Sequence, residues 1–318
     1  MSEPLVPANA AMIVLDVEEE EERIAAANAA KAKGLKKTVK RSGRGLAAYL
    51  VGRFFLYGVL FIFAAWYLTP IYVLLVTSLK SSSQVTLDQM WTLPTSINLD
   101  SFSQAWTALA PNFMNSLLLA IPAACISSVV GSLNGYVLAK WKFPGADALF
   151  TLILFGMFIP YQAILIPLTR VASEVGLYGS IQGLILVHVI YGIPITTLIF
   201  RNYYAGIPTE LIEAAKVDGA GFWRVYRSIL LPLSVSGFVV VLIWQFNSVW
   251  NDFLFAVTLT TQPNWPVTVA LNNLSGSFIS TWNVQMAGAL MAAMPTLLVF
   301  IILGRYFVRG LLAGSLKG

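Results

Sequence analysis

The chain has 318 residues, of which 57% are hydrophobic and only 11% charged, with a net charge of +5 and a mean hydropathy of +0.73. Soluble globular chains carry about 25% charged residues, so this composition excludes an ordinary water-soluble domain and marks a membrane protein. A nucleic-acid role would need a soluble basic face that the sequence lacks, and the single cysteine, Cys125, excludes an intramolecular disulfide.

Residues 1–45 form the first expected unit. An acidic run from Glu18 to Glu22 precedes an Ala/Lys-rich stretch with few large apolar residues, the composition of a mobile or partly helical tail. Two readings stand for Lys31 to Arg44: charge that sets topology, or docking on a partner or on anionic lipid. No short apolar core of the kind a secretory signal needs lies in this region, so the N-terminus is expected to stay in the cytoplasm.

Residues 46–318 form the second expected unit, an all-α membrane domain with six transmembrane helices. Each of six apolar stretches reaches the roughly 20 residues that cross about 30 Å of hydrocarbon. They run from Phe54 to Leu79, Met114 to Leu138, Ala148 to Thr169, Ile181 to Phe200, Val235 to Leu259 and Met286 to Tyr306. With the N-terminus inside, all of the 20 Lys and Arg residues except Lys80 and Arg170 fall in cytoplasmic segments, which predicts cytoplasmic termini.

The first external loop, Lys80 to Phe113, carries Trp91, Pro94, Asp100, Trp106 and Pro111. In the second span, Gly131 and Gly135 form a small-xxx-small pair that predicts a close helix contact, and Cys125 is expected to be a small packing residue. Proline falls inside several spans at Pro122, Pro160, Pro167, Pro194 and Pro295. Each removes a backbone donor, a defect compatible with a gated path or with ordinary bundle packing. His188 in the fourth span reads as a satisfied packing or pore-facing group, against a proton relay or metal ligand.

Between the fourth and fifth spans, Arg201 to Leu233 is too polar to span and too patterned for a mere linker. Pro208 suits a first helical turn, with Glu210 and Glu213 close behind where a helix N-terminus favours negative charge. Leu211, Ala214 and Ala215 are expected to share one face. Asp218, Gly219, Ala220 and Gly221 then interrupt the helix, with a glycine available for positive φ. Phe222, Val225, Tyr226, Ile229 and Leu230 make one apolar stripe of a second helix, and Pro232 is expected to end it. An amphipathic pair of this kind suits insertion into a groove on a soluble partner.

In the fifth span, Asp252 is an intramembrane acid that demands a partner or a cavity. It reads equally as a functional group or as a hydrogen-bonded brace between helices. Asn247, Trp250 and Asn251 join it as candidates for lining a translocation path. The second external segment, Thr260 to Gln285, carries Pro263, Trp265, Pro266, Asn272, Asn273 and Trp282. Such aromatic and amide groups suit contact with a sugar, and Trp also collects at any membrane interface. The chain contains neither a G-x-x-x-x-G-K-[ST] phosphate loop nor an H-E-x-x-H or clustered Cys/His pattern, so no metal site is expected.

The interhelical segment resembles the permease subunits of binding-protein-dependent ABC importers, whose signature is E-A-A, three residues, G, nine residues, I-x-L-P. Glu213-Ala214-Ala215, Gly219 and Ile229-Leu230-Leu231-Pro232 match every fixed position and both spacings. The resemblance covers about residues 50 to 318. It narrows to the maltose-type, MalG-like carbohydrate subfamily through Arg305-Tyr306-Phe307-Val308-Arg309-Gly310, the end Ala313 to Gly318, and Trp250-Asn251-Asp252-Phe253.

The resemblance implies the ABC importer permease fold with a cytoplasmic coupling-helix pair. Glu213, Ala214, Ala215, Asp218, Gly219, Ile229, Leu231 and Pro232 would face the ATPase subunit, with Arg309, Gly310 and Lys317 as tail contacts. It also implies a cell inner membrane location, a MalF-like second permease, two nucleotide-binding ATPase subunits that hold ATP and Mg, an external solute-binding protein and a carbohydrate substrate. The chain itself would be no enzyme and bind no cofactor. The acidic tail departs from the family pattern, and nothing is carried onto it. Two other classes compete. An ion-coupled secondary transporter would need paired intramembrane charges or an inverted repeat, and a membrane enzyme would need a nucleophile or metal cluster.

Overall fold

The computed structural model describes residues 26, 28, 43–274 and 281–315, with the side chains of 26, 28, 49–274 and 281–306. The expected tail, 1–45, lies almost wholly outside these residues. The chain divides into two units, Met1–Thr69 and Pro70–Gly318. Helix α1, Gly43–Ser78, begins in the first and ends in the second. Its 36 residues measure about 54 Å at 1.5 Å per residue, more than one hydrocarbon thickness. Between Tyr49 and Thr69 every side chain except those of Val59 and Thr69 is exposed. Within that stretch Arg53 donates to the hydroxyls of Tyr49 and Tyr57, at 3.0 and 2.6 Å, one turn to either side.

The second unit continues with α2 (Asp100–Lys140), α3 (Ala146–Phe155), α4 (Tyr161–Glu174) and α5 (Ile181–Ala205). Then come α6 (Thr209–Val217), α7 (Phe222–Leu233), α8 (Val235–Trp250), α9 (Leu254–Leu259), α10 (Val267–Leu274) and α11 (Trp282–Ser315). Among the described residues there is no strand, only an isolated bridge between Gly179 and Thr260.

Four helical segments are long and apolar enough to cross a membrane unaided: Tyr49–Ser78, α2, α5 and Trp282–Tyr306. Two bent pairs raise the number to six if each counts as one crossing. The third expected span, Ala148 to Thr169, is not one helix: its two halves meet at 96°. Pro160 is the reason, because its ring drives the preceding residue out of the α region, and Ile159 is extended at φ −73°, ψ 118°. The fifth expected span stops at Trp250 instead of continuing to Leu259. There the Asp252 carboxylate accepts the backbone N–H groups of Phe255 and Ala256, at 3.4 and 3.0 Å, and so starts the separate short helix α9. The first expected loop is also shorter than Lys80 to Phe113, since α2 already begins at Asp100.

The core forms where α2 crosses α5. Gly131 and Gly135 create the close contact that their spacing predicts. A Cβ on Gly135 would stand 2.7 Å from the Arg201 backbone nitrogen, so only hydrogen fits there. Around this crossing one apolar cluster gathers Leu119, Leu184, Val249 and Phe255, and another gathers Tyr136, Phe200, Tyr204, Ile212, Val225 and Leu230. Burial on this scale, at about 25 cal/mol per Å² of apolar area, holds the second cluster's amphipathic helices against the long ones. Cys125 differs from its expected packing role, because it points off this core and is exposed.

Candidate functional site: an anchored helix pair and a buried acid

Helix α6 starts directly after Pro208, which sits at the N-cap and not inside the first turn. Ile212, 2% exposed, anchors the helix in the second apolar cluster. Lys140 secures its start by donating to Ile207 O at 2.6 Å and to Thr209 Oγ1 at 3.4 Å. The helix ends in a left-handed turn: Gly219 N donates to Lys216 O, Ala220 N donates to Ala215 O, and Gly219 has φ +79°. This paired termination requires a residue that tolerates positive φ, which is the glycine at 219.

With Ile212 facing inward, Glu210, Leu211, Glu213, Ala214, Val217 and Asp218 are all exposed. Leu211 and Ala214 therefore share the solvent face, while Ala215 turns halfway toward the core. Val217 is 88% exposed, so this outward face is apolar as well as acidic. A surface of this composition on a nine-residue helix suits a partner that offers apolar area with basic or N–H groups.

The stripe on α7 points into the chain itself: Val225, Tyr226 and Leu230 are buried against Tyr136, Phe200 and Tyr204. Trp223, Arg224 and Arg227 lie outside, with the Arg227 guanidinium 5.9 Å from the Trp223 ring centre. Pro232 does not end this helix as expected. Instead Tyr226–Leu230 widens into a π turn, Leu231–Leu233 resumes the α form, and the break comes at Ser234, where α7 and α8 diverge by 77°. The proline ring cannot donate to the carbonyl one turn back, and widening that turn relieves the clash. Ile229 is half-buried, and Leu231 and Pro232 are exposed.

The second group lies around Asp252. Its carboxylate stands 3.5 Å from His188 Nε2, an otherwise unpartnered buried nitrogen, with side-chain exposures of 13% and 7% for the two residues. Thr268 Oγ1 donates to Asp252 O at 2.7 Å, and Gln245 Nε2 donates to His188 O at 3.2 Å. Asp252 thus braces α5, the α8–α9 break and α10, while its neighbours divide. Asn251 is exposed and donates to Asn247 O at 2.8 Å. Trp250 is 2% exposed, stacks on Phe246 and donates its indole N–H to Ala292 O, so it belongs to the packing of α8 against α11.

Of the tail candidates, Arg309 and Gly310 have only their helical backbone among the described residues, and Lys317 lies outside them. The sequence reading missed a set of buried hydroxyls where α2, α5 and α7 meet: Ser132, Tyr204, Tyr226 and Ser234. Their signal was available in Ser132, one residue after the close-contact glycine Gly131, on a face that must meet another helix.

Comparison with known proteins gives a consistent picture. The family described as binding-protein-dependent transport system inner membrane component matches residues 131–312. A probable ABC transporter permease protein of Pyrococcus horikoshii is 49% identical over 268 residues, covering 84% of this chain and 98% of that one. The glucose import system permease protein GlcU of Saccharolobus solfataricus is 35% identical, covering 79% and 91%. The xylose/arabinose import permease protein XacI of Haloferax volcanii is 33% identical, covering 80% and 90%. In fold, the chain is similar to a bacterial ABC transporter involved in the import of the acidic polysaccharide alginate, with a TM-score of 0.70 and 22% identity over 84% of this chain and 98% of that one.

Proposed function

The chain belongs to the binding-protein-dependent transport system inner membrane components, the permease subunits of ABC importers, and from that membership we propose that it carries carbohydrate inward as one half of a translocation pathway. Relatives named for glucose and for xylose and arabinose import support the carbohydrate class. The family membership leaves no support for an ion-coupled secondary carrier.

In this reading the chain crosses the membrane six times with both termini in the cytoplasm, using each bent pair once. Helices α6 and α7 are the coupling pair. The observation that carries the assignment is the outward face of α6, where Glu213, Ala214 and Val217 are exposed while Ile212 fixes the helix to the core. A helix so anchored passes a push from its partner directly to α2 and α5. ATP and Mg belong to two ATPase subunits, a MalF-like chain completes the pathway, and an external binding protein delivers the sugar. Asn247, Asn251 and Asp252 sit toward the path, with Asp252 acting chiefly through the brace it makes with His188.

Purifying the assembled complex through a tag on this chain tests the reading. A nucleotide-hydrolysing subunit and a second permease should co-purify, and a sugar presented with its binding protein should stimulate hydrolysis. Recovery of this chain without any ATPase subunit would overturn the coupling assignment, and stimulation by amino acids alone would overturn the carbohydrate class.

A further inference from the structure

We infer that the buried hydroxyls of Ser132, Tyr204, Tyr226 and Ser234 are a positioning device that fixes the angle between α7 and α8. The inference rests on the import function proposed above only for its consequence, because the device itself is a matter of geometry. Ser132 Oγ stands 2.6 Å from Tyr204 Oη and 2.9 Å from Tyr226 Oη. Tyr204 Oη donates to Ser234 Oγ at 3.2 Å, and Ser234 Oγ donates to Leu231 O at 3.1 Å. Each hydroxyl has one proton to give, so the order of donation is forced. Tyr226 gives to Ser132, Ser132 to Tyr204, Tyr204 to Ser234, and Ser234 to the carbonyl of Leu231.

The position of this relay decides its role. Ser132, Tyr204 and Ser234 are 0% exposed and Tyr226 is 6% exposed, so water cannot replace any lost partner. Tyr226 opens the π turn of α7, and Ser234 is the residue at which the 77° bend occurs. Tyr226 and Ser234, which bracket the π turn of α7, are therefore tied through two hydroxyls of the tightly packed α2–α5 pair. Tyr203 adds a second tie at the bend, bonding Leu233 O at 2.8 Å and Ser236 Oγ at 2.9 Å. A π turn is a local excess of backbone that can be taken up or passed on. With the relay closed, α7 and α8 keep one angle, and a displacement of α6 and α7 reaches α8; with it open, the π turn absorbs the displacement.

Two measurements on the assembled complex in lipid nanodiscs test this. Tyr226→Phe removes the first hydroxyl while keeping the ring in its stack on Tyr136, and Ser132→Ala interrupts the middle with little change of volume. In each variant, sugar delivered per ATP hydrolysed should fall about fivefold, the scale of one buried hydrogen bond, while recovery of the ATPase subunit stays at the wild-type level. A merely structural role would lower recovery and leave that ratio unchanged, which would overturn the inference. The second measurement does not depend on substrate. Spin labels at Arg224→Cys and Ser248→Cys, both exposed positions, in a Cys125→Ser background should report one narrow distance with the relay intact and a broadened one in Tyr226→Phe. An unchanged distribution would refute the device even if the import function holds. Absence of sugar-stimulated hydrolysis in the wild type would count against the import function alone.

Discussion

Gly131 and Thr196 face each other where α2 crosses α5, so closely that a Cβ on residue 131 would lie 2.2 Å from Thr196 Oγ1 and 2.8 Å from its carbonyl carbon. The contact includes backbone on the far side, which cannot swing away as a flexible side chain could. Gly131→Ala should therefore destabilise the folded chain by about 1–3 kcal/mol, the usual cost of overpacking a tight interior. Gly221→Ala is the control, because that residue has φ −77° and open space at its Cβ position. Thermal denaturation of the two purified variants should separate them, and equal midpoints would mean that the helices part easily.

Gly219 presents the opposite case. Nothing lies within 4 Å of its Cβ position, yet its φ of +79° is a conformation that side chains resist. Gly219→Val should reduce sugar-stimulated hydrolysis and uptake without preventing membrane insertion, and Gly219→Asn should be milder because Asn tolerates the left-handed region. Wild-type activity in the valine variant would show that the turn is free to rearrange.

Glu213 is exposed on α6, next to Ala214 and one turn before Val217. If that face docks in a cleft of the ATPase subunit, Glu213→Lys should cost about 2–5 kcal/mol of association, the range for a desolvated charge contact that loses its partner. Glu213→Gln keeps the shape and one acceptor and should bind nearly as well. Co-purification of the ATPase subunit decides, and wild-type recovery with the lysine variant would remove Glu213 from the interface.

Lys80, just beyond the end of α1, is 1% exposed and donates to Gln89 O, while Asn283 Nδ2 donates to Lys80 O at 3.2 Å. Burial holds its ammonium below the ordinary lysine value of 10.5. The unfolded chain then binds that proton more tightly than the folded one, so this residue makes stability rise as pH climbs toward 10.5. Lys80→Met should remove that rise. Unfolding midpoints of the two proteins across a mildly alkaline series provide the comparison, and parallel curves would show that Lys80 titrates alike in both states.

Much of this protein could be read from its residues in order. Membrane residence followed from long apolar stretches, a close helix contact on α2 from the spacing of Gly131 and Gly135, and the turn at Gly219 from a glycine placed after a short amphipathic helix. These are local properties, set by what a helix of given composition can bury and what backbone a residue permits. The α7 stripe was legible too, but its partner was not, because periodicity says that a face is buried without saying by what.

Tertiary structure decided the rest. Pro160 breaks its span by holding Ile159 out of the α region, but the 96° at which the two halves meet is an angle that the residue type alone does not fix. Trp250, a path candidate by composition, is held in the core by Ala292, and Asp252, next but one along the chain, turns to His188. The hydroxyls of Ser132, Tyr204, Tyr226 and Ser234 come from positions up to 102 residues apart in the sequence. A serine hydroxyl in an apolar helix can bond its own preceding turn and a tyrosine hydroxyl reaches past its own helix, so only the packing of α2, α5 and α7 turns these four toward one another.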